Sequence, residues 1–232
     1  MSIENKDKKE KKDNLVQVTS FFTKVENWYE ANKKKINVIS TAVLVVVLLC
    51  IYIGVFWMPK RQQKAELDIF KAEQYFAQDS LRQALDGDGV YDGLLSVASR
   101  YRCTKTANRA RYEIGICYLQ MGDFEQAIKY LKKFKGKDKL VSVQALGSIG
   151  DAYVELNNLD KALTYYKKAS KKNPNDLLTP RYLYRAGLVC EKKGDWKAAA
   201  KLYEEMRHAY PNAMESMDIE KRIAFVNAKA GK

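Results

Sequence analysis

Residues 108–141 read NRARYEIGICYLQMGDFEQAIKYLKKFKGKDKLV, residues 143–176 read VQALGSIGDAYVELNNLDKALTYYKKASKKNPND, and residues 180–213 read PRYLYRAGLVCEKKGDWKAAAKLYEEMRHAYPNA. Laid under one another, they agree in six columns. Gly115, Gly150 and Gly187 stand 35 and 37 residues apart, and Ala127, Ala162 and Ala199 keep those spacings. So do Gly122, Asn157 and Gly194; Asp123, Asn158 and Asp195; Phe124, Leu159 and Trp196; and Leu131, Tyr166 and Tyr203. A period of this length marks one supersecondary unit repeated, each copy burying its apolar face against the next. The Gly-Asp or Asn-Asn pair supplies a turn, because these residues accept positive φ or cap a helix. Asp123, Asn158 and Asp195 are then the N-caps of three second helices.

These residues resemble the tetratricopeptide repeat, a helix–turn–helix of about 34 residues. In its register Gly115, Gly150 and Gly187 take position 8, and Ala127, Ala162 and Ala199 take position 20. Tyr118 and Tyr153 take the aromatic position 11, with Cys190 in the third copy. Both small positions face the crossing of the two helices, where bulk has no room. Pro174 and Pro211 hold position 32; repeat one has Lys139 there, which loosens its end. The boundaries are 108–142, 143–179 and 180–213, with 177–179 an insertion before repeat three.

The resemblance implies an all-α solenoid with a concave groove lined by positions 2, 5, 9, 12 and 13 of each first helix. Repeat one supplies Arg109, Tyr112, Ile116, Leu119 and Gln120, and repeat two Gln144, Gly147, Asp151, Val154 and Glu155. Repeat three supplies Arg181, Tyr184, Leu188, Glu191 and Lys192. Tyrosines, aliphatics and charges together suit an extended or helical peptide. Some members hold a C-terminal carboxylate in a clamp of Lys, Arg and Asn. Arg181 and Arg185 fall at clamp positions, but Tyr112, Ile116 and Ser148 replace the others, so that mode is not expected.

Outward from the repeats, residues 59–107 read as a degenerate leading unit: a long helix over about 60–85, an acidic turn Asp86-Gly87-Asp88-Gly89, and a helix 90–102. The turn lacks the further acids of a calcium loop. Residues 214–232 supply a polar-faced closing helix and tail, as arrays require.

Toward the N-terminus, residues 36–58 form a run of 23 residues without a charge. At about 1.5 Å per residue this crosses a hydrocarbon core of about 30 Å. Its length and position favour an uncleaved anchor over a signal peptide. Within 18 residues of its ends, Lys24, Lys33, Lys34 and Lys35 face Lys60, Arg61, Lys64 and Lys71, a tie. The N-terminal tail carries nine Lys and is short, whereas the 174 residues beyond the run form a domain that crosses regardless of charge. The N-terminus is therefore expected inside and the repeats outside. Residues 1–14 are almost entirely polar and are expected to have no fold of their own. In residues 15–35, Leu15, Val18, Phe22, Val25 and Tyr29 recur at helical spacing, with Phe21 and Trp28 beside them. That is an amphipathic helix for the membrane interface or for a membrane partner.

The chain has 41 Lys+Arg against 28 Asp+Glu, one His and four Cys. Few metal-enzyme designs survive a single His, and no nucleophile or carboxylate is spaced to serve His208 as a base. No enzyme activity, cofactor, metal or small-molecule substrate is expected. Cys117 and Cys190 sit at packing positions and read as buried thiols; a disulfide among the cysteines after the apolar run would leave one over. From residue 60 onward, 32 basic and 22 acidic residues give +10, and six Lys crowd 129–139. Solvated lysines at a helix C-terminus explain the run; steering of acidic partners is the other reading. No nucleic-acid module is present.

A charged tail, one span and a small tetratricopeptide domain resemble the YfgM-like ancillary subunit family of the bacterial Sec translocon, and Phe21-Phe22 before the span is similar to that family's tail. The resemblance implies a scaffold in the inner membrane, N-terminus cytoplasmic and repeats periplasmic. Its partners would be the translocon and periplasmic chaperones or emerging clients. A targeting receptor with cytoplasmic repeats, or a regulatory subunit of another envelope complex, are the alternatives.

Overall fold

The computed structural model describes residues 2–231; side chains 1–19, 21, 22, 25 and 26 lie outside the description. The chain divides into two units, 1–59 and 60–232. Helices are the regular structure of the described residues, with no strand beyond one isolated bridge pair.

In the first unit, helix α1 runs Ser2–Tyr52 and a π-helical turn follows over Ile53–Trp57. The Met58 N–H bonds to Ile53 O, the i→i+5 pattern of a π-bulge. The expectation of no structure in 1–14 is corrected to helix from Ser2. Lys and Glu are strong helix formers, so a polar stretch extends a helix without any core to pack on. The helix expected over 15–35 is part of the same helix; of its apolar face, Leu15, Val18, Phe22 and Val25 lie outside the described side chains, as does Phe21, and Trp28 and Tyr29 are exposed. Every residue from Asn37 to Trp57 is exposed, in a helix long and apolar enough to cross a membrane.

The second unit contains α2 (Met58–Ala77, from Lys60 onward), α3 (Leu81–Asp86), α4 (Leu94–Arg100), α5 (Lys105–Gln120), α6 (Phe124–Lys133), α7 (Val141–Glu155), α8 (Leu159–Lys172), α9 (Thr179–Lys192), α10 (Trp196–Ala209) and α11 (Ile219–Lys229). The pairs α5/α6, α7/α8 and α9/α10 are the three repeats, and successive pairs pack in order. Each internal turn passes through a positive φ, 81° at Gly122, 53° at Asn157 and 74° at Gly194. The cap side chains accept from the N–H groups of Gln126, Lys161 and Ala198 at 3.2, 3.3 and 3.1 Å.

The small residues do what the register requires. A Cβ on Gly115 would stand 2.5 Å from Leu131 Cγ, one on Gly150 2.6 Å from Tyr166 Cε1, and one on Gly187 2.2 Å from Tyr203 Cε1. Position 8 of each first helix thus lies under position 24 of the second. Ala127, Ala162 and Ala199 are fully buried at the same crossings. Tyr118 stacks on Tyr130 at 5.7 Å and Tyr153 lies 5.6 Å from Tyr165, so position 11 meets position 23. Where position 11 is Cys190, position 23 is Leu202; both are buried.

The leading unit corrects the expectation of one helix over 60–85. The chain turns at Asp79, with φ of 58°, and restarts at Leu81. The Ser80 N–H bonds to Tyr75 O at 2.9 Å, as the Asp123 N–H does to Tyr118 O. Shifted by 43 residues, Ala72, Tyr75 and Ala84 coincide with Gly115, Tyr118 and Ala127. The unit is a fourth helix–turn–helix whose second helix is interrupted. At Gly87, with φ of 90°, a Cβ would lie 2.2 Å from Tyr91 O, so only glycine lets the loop fold back there. The helix expected over 90–102 is therefore shortened to Leu94–Arg100. The closing segment is a 3-10 turn, Met214–Ser216, followed by α11, which buries Ile219, Ile223 and Val226. Two clusters form the core, one from Ala65 to Cys117 and one from Ile128 to Val226.

Candidate peptide-binding groove

Because position 8 is spent on the helix crossing, positions 2, 5, 9 and 12 are left on the other flank of α5, α7 and α9. Three cavities lie along this series. The first, about 790 Å³, is bounded by Arg109 and Tyr112 of α5, the segment Phe134–Asp138 and Val141 of α7. The second, about 330 Å³, lies between α7 and α9 and is lined by Asp151, Val154, Glu155, Leu188 and Lys192. The third, about 300 Å³, joins Tyr184 of α9 to Asp218, Lys221, Arg222 and Phe225 around α11.

Several expected groove residues are engaged by the neighbouring unit. Arg109 binds Glu66 at 2.8 Å and Glu73 at 2.6 Å, both on α2. Asp151 accepts from Tyr166 Oη at 2.6 Å and from Arg185 of α9. Glu191 accepts from Tyr203 and pairs with Arg222 of α11 at 3.2 Å. Burial, with Asp151 and Glu191 as neighbours, raises the Tyr166 and Tyr203 hydroxyls, so both stay protonated donors. Each carboxylate–arginine pair ties one unit to the next. Arg181 lies 3.5 Å from Glu215, outside the cavities.

Ile116, Leu119, Val154, Tyr184 and Tyr112 are half-buried against the core cluster, and Glu155 is exposed. Gly147, expected to line the groove at position 5, does not: Tyr182 of the next repeat lies over it, 2.0 Å from where a Cβ would stand. Tyr182 has no counterpart in the other repeats at its position 3, where Ala110 and Ala145 stand, so repetition gave no signal for it.

Arg109 has a neighbour whose environment is unusual. Glu113 is buried, and its Oε2 has no hydrogen-bond partner. Burial, then the Glu73 carboxylate, push its pKa up to about 7 against the pull of Arg109. One turn on, burial pushes the Cys117 thiol up to about 12, and Cys190 is raised by the same cause. His208 is exposed, 3.6 Å from Glu204. Asp88 of the acidic turn is occupied by Tyr75 Oη at 2.7 Å and the N–H groups of Val90 and Tyr91. No cluster of three metal-ligating side chains occurs among the described residues.

Comparison with known proteins agrees with this geometry. Two tetratricopeptide repeat profiles match, over residues 109–138 and 148–213. Among solved structures, the crystal structure of MamA protein superposes with a TM-score of 0.54 at 17% identity, covering 75% of this chain and 85% of that one. At that identity the likeness concerns the fold. No curated protein matches the sequence. The chain carries tetratricopeptide repeats, an all-α architecture that implies protein partners.

Proposed function

We propose that the chain is a membrane-anchored scaffold that binds protein partners through the groove of its repeats. The observation that carries this is the pairing, on one chain, of an exposed apolar helix over 37–57 with an array of tetratricopeptide repeats. Arg109, Tyr112, Ile116, Leu119, Asp151, Val154, Glu155, Arg181, Tyr184, Leu188 and Glu191 form the binding series. The finer reading places the N-terminus in the cytoplasm, the repeats in the periplasm, and the scaffold beside the Sec translocon, handing emerging clients to chaperones. The charge of the tail and the resemblance to the YfgM-like family support it. The basic flank Lys60, Arg61, Lys64 and Lys71 favours the second reading, a receptor with cytoplasmic repeats.

Cys103 is exposed, while Cys117 and Cys190 are buried. A membrane-impermeant maleimide applied to cells with a permeabilised outer membrane is expected to label Cys103. Crosslinking of the labelled chain to the Sec channel is the next step. Labelling only after lysis puts the repeats in the cytoplasm and replaces the first reading by the second.

A further inference from the structure

The junction between repeats one and two differs from every other. Carboxylate–arginine pairs join α2 to α5, α7 to α9 and α9 to α11. Among the described residues no such pair joins α5 to α7. The largest of the three groove cavities lies there instead. Its cause is the early end of α6, which has 10 residues where α8 and α10 have 14. The chain then leaves the helix at Phe134, with ψ of 128°, and runs without regular structure to a bend at Asp138.

Hydrogen bonds fix this segment. Asn108 Nδ2 donates to Lys135 O at 3.1 Å, and the Lys135 N–H donates to Asn108 Oδ1 at 2.8 Å. Asp138, the one carboxylate in the cavity wall, accepts on Oδ1 from the N–H groups of Leu140 and Val141 at 2.7 and 2.8 Å. Phe134 lies 5.4 Å from Tyr112, giving an aromatic floor. Lys105, Lys135 and Lys137 also line the cavity, and none of them forms an ion pair with a described carboxylate. The site is thus an apolar pocket whose cations outnumber its one carboxylate. At the other junctions the chain supplies the acid itself.

We infer that this pocket receives an acidic segment of a partner protein, with one aromatic or aliphatic side chain seated against Tyr112 and Phe134 and carboxylates on Lys105, Lys135 and Lys137. The inference rests on the reading of the array as protein-binding and names the chemistry of one partner. Charge complementarity selects the occupant: Arg102, Lys105, Arg109, Lys135 and Lys137 line the cavity against Asp138 alone, so a segment of net negative charge is favoured. An apolar anchor in a desolvated pocket would supply most of the affinity, and the lysines would set register and on-rate.

The test uses the full chain in detergent and a fluorescent, C-terminally amidated peptide of Glu residues around one central Phe. It is expected to bind, to weaken as salt rises, and to shield Cys103, which also lines the cavity, from maleimide. Lys105→Glu with Lys137→Glu is expected to weaken binding at least tenfold, with an unchanged melting temperature showing an intact fold. An all-Glu peptide is expected to bind at least tenfold more weakly. No binding at millimolar peptide, equal binding of the all-Glu peptide, or binding indifferent to the double substitution overturns the inference. Photo-crosslinking residues placed at Lys137 and at Glu155 in cells separate this from the wider reading. Capture of protein at Glu155 alone rejects the pocket and keeps the scaffold; capture at neither rejects both.

Discussion

Repeat one and repeats two and three share a backbone and differ in what fills it. Position 24 is Leu131 in the first and Tyr166 and Tyr203 in the others, whose hydroxyls reach Asp151 and Glu191. Position 6 is Glu113, with an unpartnered oxygen, against Ser148 and Arg185, the latter paired with Asp151. The second helix of repeat one is four residues shorter than the others, 10 against 14. In repeats two and three, hydroxyl, carboxylate and guanidinium tie the junction to the next helix and leave only the smaller cavities, about 330 and 300 Å³. In repeat one the same positions leave a cavity and an unsatisfied acid. The crossing residues make the scaffold, and the departures around them decide where it is closed.

The sharpest break of the comparison is at position 8. In Gly187→Ala the new methyl meets the Tyr203 ring, which is fully buried and hydrogen-bonded to Glu191. A rigid ring so held has nowhere to go, and a loss of about 3 kcal/mol or more is expected. Gly115→Ala meets the side chain of Leu131, which yields by changing rotamer, so about 1 kcal/mol is expected. Thermal unfolding of the two variants checks the order. Because an array can unfold in parts, hydrogen exchange should be read repeat by repeat. Equal losses would mean that ring rigidity does not set the cost.

Glu113 gives the next effect. At pH 4 folded and unfolded chains both hold its proton, and it contributes nothing. As pH rises from the ordinary value of 4.5 to about 7, the unfolded chain ionises while the folded chain keeps the proton. The unfolded state then binds fewer protons, so stability falls with pH. The groups facing it are Glu66 and Glu73 of α2 and Arg109 of α5. Glu113→Gln removes the ionisation, so it is expected to be more stable than the native chain at pH 8, by on the order of 2 kcal/mol, and equal to it at pH 4. Denaturant titrations at the two pH values decide; an advantage that does not change with pH would show that Glu113 does not titrate across this range.

The legibility of the molecule follows the same division. The six columns exposed the three repeats, because a small residue at a helix crossing and an αL turn are demands that few residue types meet. The leading unit was read as degenerate, but its internal turn hid, because Ala72 stands where glycine stands elsewhere, Asp79 replaces the turn glycine, and the loop Gly87–Gly93 breaks the period. The register names the positions on the outer flank of each first helix, but it does not show what engages them. Arg109 takes partners from the preceding unit and Asp151 and Glu191 from the following one, and no spacing within a repeat reveals a contact between repeats. The cavity at Phe134 was half legible. Lys139 in place of proline and six crowded lysines marked the end of repeat one as different, but the helix stops earlier, at Lys133.

The smallest effect sharpens the comparison of second helices. Asp123, Asn158 and Asp195 each satisfy one N–H of the first turn, and truncation to alanine is expected to cost about 1 kcal/mol at each. Equal global costs do not mean equal local ones. α6 has 10 residues and ends against the cavity, while α8 and α10 have 14 and continue into contacts with the following unit. With less buried surface per helix to hold it, α6 opens by itself more readily. Asp123→Ala is therefore expected to lower exchange protection along the whole of α6, and Asp195→Ala to lower it only in the first turn of α10. Protection lost to the same depth in both helices would show that the short helix is held as firmly as its neighbours, which the open junction beside it argues against.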